Sequence, residues 1–426
     1  MAWILLLPPP LPQMILMHIN LKRTAAKLVR EVSLVFFNSD TPLAATSARS
    51  QKITSAIAYF ICKDNQPYSV VENEGFRQLL HILDPTYKIP VRGTFTDTHI
   101  PALYNKVRRE IVESLSNAQR VAITVDGWTS CAIQSYIIVT AHYIDDEWSM
   151  KTPVLQTRAF NEEHKGENLA ALLRDVCCEW KIEGKKPALV TDNASNMLLA
   201  GTLAEMKPHV RCIAHTLNLS SQKALQVDTV SALLVKMRRI VTYFHKSPKA
   251  CEALHEIQTQ LHLKHHKPVH DVSTMWNSSL EMMERFWEQQ PAVTLSLTTR
   301  RVKTKGLPSI TDEELTLLPE IIKLMTPLKV ATECLSGEKT PTISIIAPTL
   351  AKLREDFEPN DSDLQVIFEM KEKFRQDFDT RYTYIQDLLN KASALDPRFK
   401  ELEFLDDNNS RDTIFLRITA EVEEMI

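Results

Sequence analysis

The 426-residue sequence predicts a mixed α/β core embedded in an otherwise all-α chain, and three observations carry that prediction. Only 8 glycines occur in the whole chain, which favours helices over tight β-turns. Short β-branched runs are confined to one stretch, between Val121 and Ala214. On both sides of that stretch the apolar residues recur every three or four positions, the period of an amphipathic helix.

Residues 1–20 begin with Trp3-Ile-Leu-Leu-Leu7 and break at Pro8-Pro-Pro10, with no basic residue before Lys22. The run is too short to span a bilayer, and it reads as a disordered or artefactual tail, with a signal peptide as the alternative. Residues 21–118 read as an N-terminal helical region. In it Ile100, Leu103, Val107, Ile111 and Leu115 share one face, Thr98 stands as the expected cap and Pro101 sits in the first turn.

Residues 119–219 form the α/β core. Val121-Ala-Ile-Thr-Val125, Tyr136-Ile-Ile-Val139 and Val154-Leu155 read as three consecutive antiparallel strands. The stripe Leu169, Leu172, Leu173, Val176, Cys177, Trp180 predicts a helix. Pro187-Ala-Leu-Val-Thr191 predicts a buried strand, Ser195–Met206 a second helix and Val210–Ala214 a fifth strand. Residues 220–426 then read as one helical domain. It opens on the stripe Val230, Leu233, Leu234, Met237, Ile240, Val241, Phe244, and a new helix starts at Ser247-Pro248.

Charge is unevenly distributed. From Leu307 to Ile426 there are 14 Lys+Arg against 25 Asp+Glu, a net of −11, whereas the preceding 306 residues carry 36 basic and 28 acidic groups, a net of +8. A basic front and an acidic back direct any polyanion contact to the front. Its basic groups concentrate between Lys236 and His270, which includes Arg238 and Arg239, and again at Arg300, Arg301, Lys303 and Lys305. Either cluster suits phosphate contact without sequence reading, or is an ordinary solvated helix face. The odd set of 7 cysteines, without paired spacing, reads as reduced thiols. No other segment has the length and apolarity to cross a membrane.

Two acids stand at predicted strand ends. Asp126 lies in Thr124-Val-Asp-Gly-Trp-Thr-Ser130, and Asp192 in Val190-Thr-Asp-Asn-Ala-Ser195. If their strands are neighbours, both carboxylates reach one edge of the sheet. With a third acid they would hold two Mg²⁺ or Mn²⁺ ions for phosphodiester chemistry. The competing reading is structural: Asp-Gly as a turn, and Asp192 or Asn193 as a helix cap. Cys212 and His215 have half the spacing of a zinc site, but no matching second pair accompanies them, and no zinc site is expected. Their alternative is a buried thiol and a hydrogen-bonded core histidine.

Four strings occur in the order seen in transposases of the hAT superfamily, and the chain resembles that family most in its domesticated, BED-type members. They are Asp126-Gly-Trp-Thr-Ser, Thr191-Asp-Asn-Ala-Ser-Asn-Met, Arg211-Cys-Ile-Ala-His-Thr-Leu-Asn-Leu219 and Met275-Trp-Asn-Ser-Ser-Leu-Glu-Met-Met-Glu-Arg285. Tyr68–Phe76 and Ala392–Lys400 add two further similar stretches. The resemblance implies a ribonuclease H-like core, incomplete at its C-terminal end, with a large helical insertion after Leu219. It implies that Asp126 and Asp192 are the first two members of a metal-binding acidic triad. It also implies that Cys212 and His215 lie beside that core, and that Trp276 stacks on a flipped base.

Two parts of the family pattern have no counterpart in the sequence. No Ser-Glu-Arg context follows Leu405 to supply the third acid, and Cys62 is the only cysteine before Cys131, so no BED finger can form there. The expectation is therefore a nuclear, transposase-derived protein that contacts DNA, other proteins or its own copies, with Asp126 and Asp192 vestigial. The alternatives are a fragment of an active metal-dependent transposase, or a helical interaction scaffold without DNA binding.

Overall fold

The computed structural model describes residues 42–424 apart from 273, 301, 303, 305, 338 and 339. The predicted tail, the start of the N-terminal region and Arg301 lie outside the described residues. The chain divides into two compact units, Met1–Ser114 and Leu115–Ile426.

In the first unit, helices α1 (Ala48–Lys63) and α2 (Glu74–Leu83) flank a short 3₁₀ turn at Tyr68–Glu72. Ile57, Ala58 and Ile61 of α1 pack with Val70, Val71, Tyr87 and Phe95 into a small apolar core. Buried Thr54 completes it through a 2.7 Å hydrogen bond to the Tyr87 hydroxyl. The helical stretch carrying the predicted stripe begins at Arg92–Thr94, passes a π-turn at Phe95–His99 and continues as α3 (Ile100–Asn117). Thr98 is thus inside the π-turn and caps nothing, because Val91, extended at φ −67° and ψ 156°, is where the chain enters the helix.

The second unit starts with the sheet. Its strands are β1 (Ala122–Thr129), β2 (Ser135–Ile144), β3 (Met150–Lys151), β4 (Val154–Ala159), β5 (Ala188–Thr191) and β6 (His209–Arg211). The order is β3-β2-β1-β5-β6, with β4 also on β2. Strands β1, β2 and β4 are antiparallel neighbours, while β1-β5 and β5-β6 run parallel. Period-two burial fixes the register: Ile123 and Val125 of β1, and Ile137, Val139, Ala141 and Tyr143 of β2, are all buried on one face. A one-residue slip would turn these side chains to solvent.

Helix α5 (Ser195–Leu203) packs on the sheet, and α4 (Gly166–Glu179) packs on α5. Two glycines set how closely. A Cβ on Gly166 would come within 2.6 Å of the Leu199 side chain, and one on Gly201 within 2.4 Å of His209 and 2.9 Å of Leu189.

The sheet differs from the sequence reading in three places. Strand β1 runs four residues past Val125, because Asp126-Gly-Trp-Thr continue to pair with Ile138 back to Ser135. The two-residue β3 has too short a pattern to read. The fifth predicted strand stops at Arg211, since Cys212 is already the cap of the next helix.

From Ile213 the chain is helical: α6 (Ile213–Leu225), α7 (Asp228–Lys246), α8 (Pro248–Gln260), α9 (Trp276–Thr298), α10 (Asp312–Leu335), α11 (Ile343–Asp356), α12 (Gln365–Phe378), α13 (Gln386–Ala394) and α14 (Asn408–Glu423). One continuous apolar core runs from Ile213 to Leu389. The predicted restart at Ser247-Pro248 is present: the Ser247 hydroxyl accepts from Ala250 N, and Pro248 occupies the first turn, where its missing N–H costs nothing. Helix α10 opens on a capping box between Thr311 and Glu314. No helix among the described residues is long and apolar enough to cross a membrane.

Candidate functional site

Parallel pairing aligns β1 with β5 through Ala122↔Ala188, Ile123↔Leu189 and Thr124↔Val190. Two residues beyond the last of these pairs, Asp126 continues within β1, whereas Asp192 is the first residue past the end of β5. Asp126, two residues after Thr124, shares that residue's face of β1 and pairs with Ile138 of β2, while Asp192 belongs to the loop that leads into α5. Asp126 is exposed and is held by a 2.9 Å bond from Gly127 N to its Oδ1. Asp192 is half-buried, and its Oδ1 accepts from Ala194 N at 3.0 Å, which shapes the entry to α5. Neither alternative role holds as first drawn. Gly127 is in strand rather than turn, and Ala194 is the N-cap of α5, although Asp192 braces it.

The next strand brings the Cys212 and His215 segment to the same end. Cys212 N donates to Thr191 O at 2.7 Å, extending the β5-β6 ladder by one bond. Cys212 then caps α6, and half-buried His215 lies in that helix's first turn. Asn193 Nδ2 donates to Thr216 Oγ1 at 3.0 Å, tying the loop after β5 to α6. Tyr382, fully buried, donates to Arg211 O at 2.9 Å and lies 3.1 Å from the Thr216 hydroxyl. Burial drives its phenol far above the ordinary tyrosine range. Arg211 in turn lies 4.9 Å over the Tyr384 ring, and its N–H donates to the Tyr384 hydroxyl. The loop bearing Asp192 and the β6 end beside it are therefore fastened to the helical part by polar contacts.

Both α5 and α6 begin just past the ends of the parallel strands β5 and β6, so their N-terminal N–H groups and positive helix ends lie near Asp192. Open α/β sheets characteristically bind ligands beyond the carboxyl ends of their parallel strands. Among the described residues, no group of three or more His, Cys, Asp and Glu side chains is arranged to hold a metal ion. Asp126 and Asp192 are the residues that would contribute carboxylate oxygens to a Mg²⁺ or Mn²⁺ ion, the donor type such ions take.

The structure adds an aromatic platform that the sequence reading did not single out. Trp128 stands two residues from Asp126 on the same face of β1 and is 43% exposed. It stacks on Tyr136 of β2, its ladder partner, with centroids 5.5 Å apart and rings 16° from parallel. The signal was in the sequence as an aromatic two positions after an acid on one strand, but only the extended β1 makes it legible.

The remaining candidates are differently placed. Trp276 is 2% exposed, starts α9 and belongs to the helical core with Leu280 and Phe286. Its backbone N–H donates to Asn218 Oδ1 at 3.1 Å, and Asn218 Nδ2 donates to Thr274 O at 3.2 Å. Stacking on a base requires this ring to leave the core. Arg238 forks onto Asp271, with Nε at 2.9 and 3.0 Å from the two carboxylate oxygens and Nη2 at 2.7 Å. Arg239 is exposed but donates to Gly306 O at 2.6 Å. Arg300 is exposed at the end of α9.

Residues 124–218 match the family model described as the ZBED1 RNase-like domain, and residues 210–323 match the ZBED1 RNase-like helical domain. The chain is 29% identical to human zinc finger BED domain-containing protein 4 over 84% of its own length and 31% of that protein. It is 27% identical to the putative AC transposase of Zea mays, over 79% of this chain and 43% of the relative. Mouse zinc finger BED domain-containing protein 6 is 26% identical over 75% of this chain and 34% of its own length. The chain thus spans well under half the length of these relatives. The chain is similar to the hAT-transposase-derived, BED-type proteins, and the matches to their RNase-like core and helical domain fall within residues 124–323.

Proposed function

We propose that this chain acts in the nucleus as a DNA-associating protein of transposase descent and does not itself cut DNA. The observation that carries the reading is the edge shared by Asp126, Asp192, two helix N-termini and the exposed Trp128–Tyr136 stack. Helix N-termini favour phosphate, and an exposed aromatic face suits an unpaired base. Two carboxylates without a third hold divalent ions loosely, and they leave an attacking water and a leaving oxygen poorly positioned.

The relatives include transposases and a putative transcriptional regulator, which supports contact with DNA as the shared property. Arg238 is tied into the helical core, so exposed Arg239 and Arg300 are the arginines of the basic front that this reading assigns to phosphates.

Fluorescence anisotropy with a duplex carrying an unpaired base tests the proposal. Binding that weakens steeply between low and physiological salt is expected. Trp128→Ala should weaken it by about 1–3 kcal/mol, roughly 5- to 150-fold. Salt-insensitive binding, or none, would leave the helical scaffold as the better account.

A second reading has its own support. Because the chain spans only 31% and 43% of two relatives, a longer product could bring a third acid to the same edge. Metal-dependent cleavage by that longer product, absent from this chain, would favour a catalytic fragment.

A further inference from the structure

Helix α8 and the segment that follows it bring two imidazoles face to face. His255 Nδ1 and His265 Nδ1 are 2.7 Å apart, and the rings meet edge to face with centroids separated by 4.1 Å. Both side chains are exposed, so water and ions reach them. Their separation in sequence is ten residues, across the end of α8 and the left-handed turn at His262 (φ 55°).

The neighbours fix the orientation of the second ring. The Thr259 hydroxyl gives its proton to His255 O at 2.9 Å, so it can only accept from His265 Nε2, 3.4 Å away. That arrangement suits the tautomer with the proton on His265 Nε2 and a bare Nδ1 toward its partner. A polar group holding the far N–H of an imidazole is the usual device that aims a metal-ligating histidine.

The backbone carrying His265 is held on both sides. Gln258 Nε2 donates to His266 O at 2.8 Å, and Gln289 Nε2 donates to Lys264 O at 3.2 Å. These glutamines are buried and bonded to each other at 2.8 Å. His266 adds a bond to Glu288 at 2.8 Å. The loop is therefore built to keep His265 in place rather than draped over the surface.

We propose that His255 and His265 form a surface site for a divalent transition metal of the zinc class, distinct from the acidic edge of the sheet. The chemistry requires one rearrangement. The proton on His255 Nδ1, which now joins the two nitrogens, moves to His255 Nε2 through solvent, leaving two lone pairs that converge. Tetrahedral zinc with Zn–N bonds of about 2.0–2.1 Å separates two ligand nitrogens by about 3.3 Å. The pair thus opens by roughly half an ångström, a side-chain adjustment for two exposed rings. Water fills the remaining positions, and imidazole donors direct the site to zinc, copper or nickel rather than to magnesium or calcium. Bridging α8 and its following segment, the ion would staple a loop that borders α9.

Zinc chloride titrated into the full chain tests this. The 7 free cysteines can also take zinc, so calorimetry is read together with the ¹⁵N imidazole spectrum. Substoichiometric zinc should shift Nδ1 of His255 and His265 while sparing the exposed His262. His255→Ala and His265→Ala should each weaken the site at least about tenfold, His262→Ala should leave it intact, and Thr259→Val should give an intermediate loss. Circular dichroism verifies that the variants fold. Unmoved Nδ1 signals, or an isotherm unchanged by His255→Ala and His265→Ala, would overturn the proposal and leave a hydrogen-bonded histidine pair.

Discussion

Replacing Asp271 by Asn should destabilise the helical domain by about 2–4 kcal/mol. The side chain of Asp271 is 1% exposed, and it accepts the forked guanidinium of Arg238 and the Ser279 hydroxyl at 2.8 Å. Hydrogen bonds to a charged group contribute about 1.5–3 kcal/mol each, but they do not add, and Arg238 remains 28% exposed and regains water when released. Removing one partner of a buried pair costs roughly 3–5 kcal/mol, and that residual exposure lowers the expectation to about 2–4 kcal/mol.

The pH dependence has a definite sign. Burial alone would raise the Asp271 carboxyl, but the bonds from Arg238 and Ser279 outweigh it and hold the group below the ordinary carboxylate range. Its contribution is therefore complete above the unfolded-state value, about 3.9, and is lost as pH falls through the lower folded value. Urea melts at pH 7 and across the acid range, on wild type, Asp271→Asn, Arg238→Gln and the double variant, measure the gap and the coupling. A gap below about 1 kcal/mol at pH 7, or one that widens on acidification, would refute the reasoning. A loss of DNA affinity in Arg238→Gln larger than its loss of stability would return Arg238 to the phosphate-contacting set.

Two further substitutions test the packing that positions the site. Trp276→Ala should cost about 3–5 kcal/mol by urea denaturation, because a fully buried indole is removed from the helical core; an unchanged midpoint would mean the ring spends its time outside. Gly201→Ala should destabilise by about 1–3 kcal/mol, since its Cβ meets His209 at 2.4 Å and Leu189 at 2.9 Å, and a thermal melt within error of wild type would show that α5 can retreat from the sheet.

Local patterns were legible where one element carried its own signal. The stripe from Val230 to Phe244 appears as the buried face of α7, and Ser247-Pro248 opens α8 with the expected cap. The strands at Ile123, Ile137 and Leu189 announced themselves through β-branched runs. Boundaries set by a partner were not legible. Gly127 reads as a turn until β2 supplies the ladder that carries β1 to Thr129, and Cys212 reads as strand until its amide closes on Thr191 while α6 begins.

The same distinction governs the candidate site. Asp126 and Asp192 were recognisable by their strings, but that their strands β1 and β5 are parallel neighbours is a property of the sheet. Arg238 looked available to phosphate because its counter-ion, Asp271, lies 33 residues away along the chain. Trp276 admitted both stacking and packing, and only its neighbours reveal a ring at 2% exposure. The Trp128–Tyr136 platform and the His255–His265 pair each arise from residues that meet across a turn, where no single-residue pattern marks them.

The central proposal is that DNA sits at the acidic end of β1 and β5 without being cut. The most direct test incubates the purified chain with end-labelled duplex and hairpin DNA in Mg²⁺ or Mn²⁺ and resolves the products on a denaturing gel. Intact DNA is the predicted result. Metal-dependent cleavage that disappears in Asp126→Ala and Asp192→Ala would contradict the account and make this chain a nuclease in its own right.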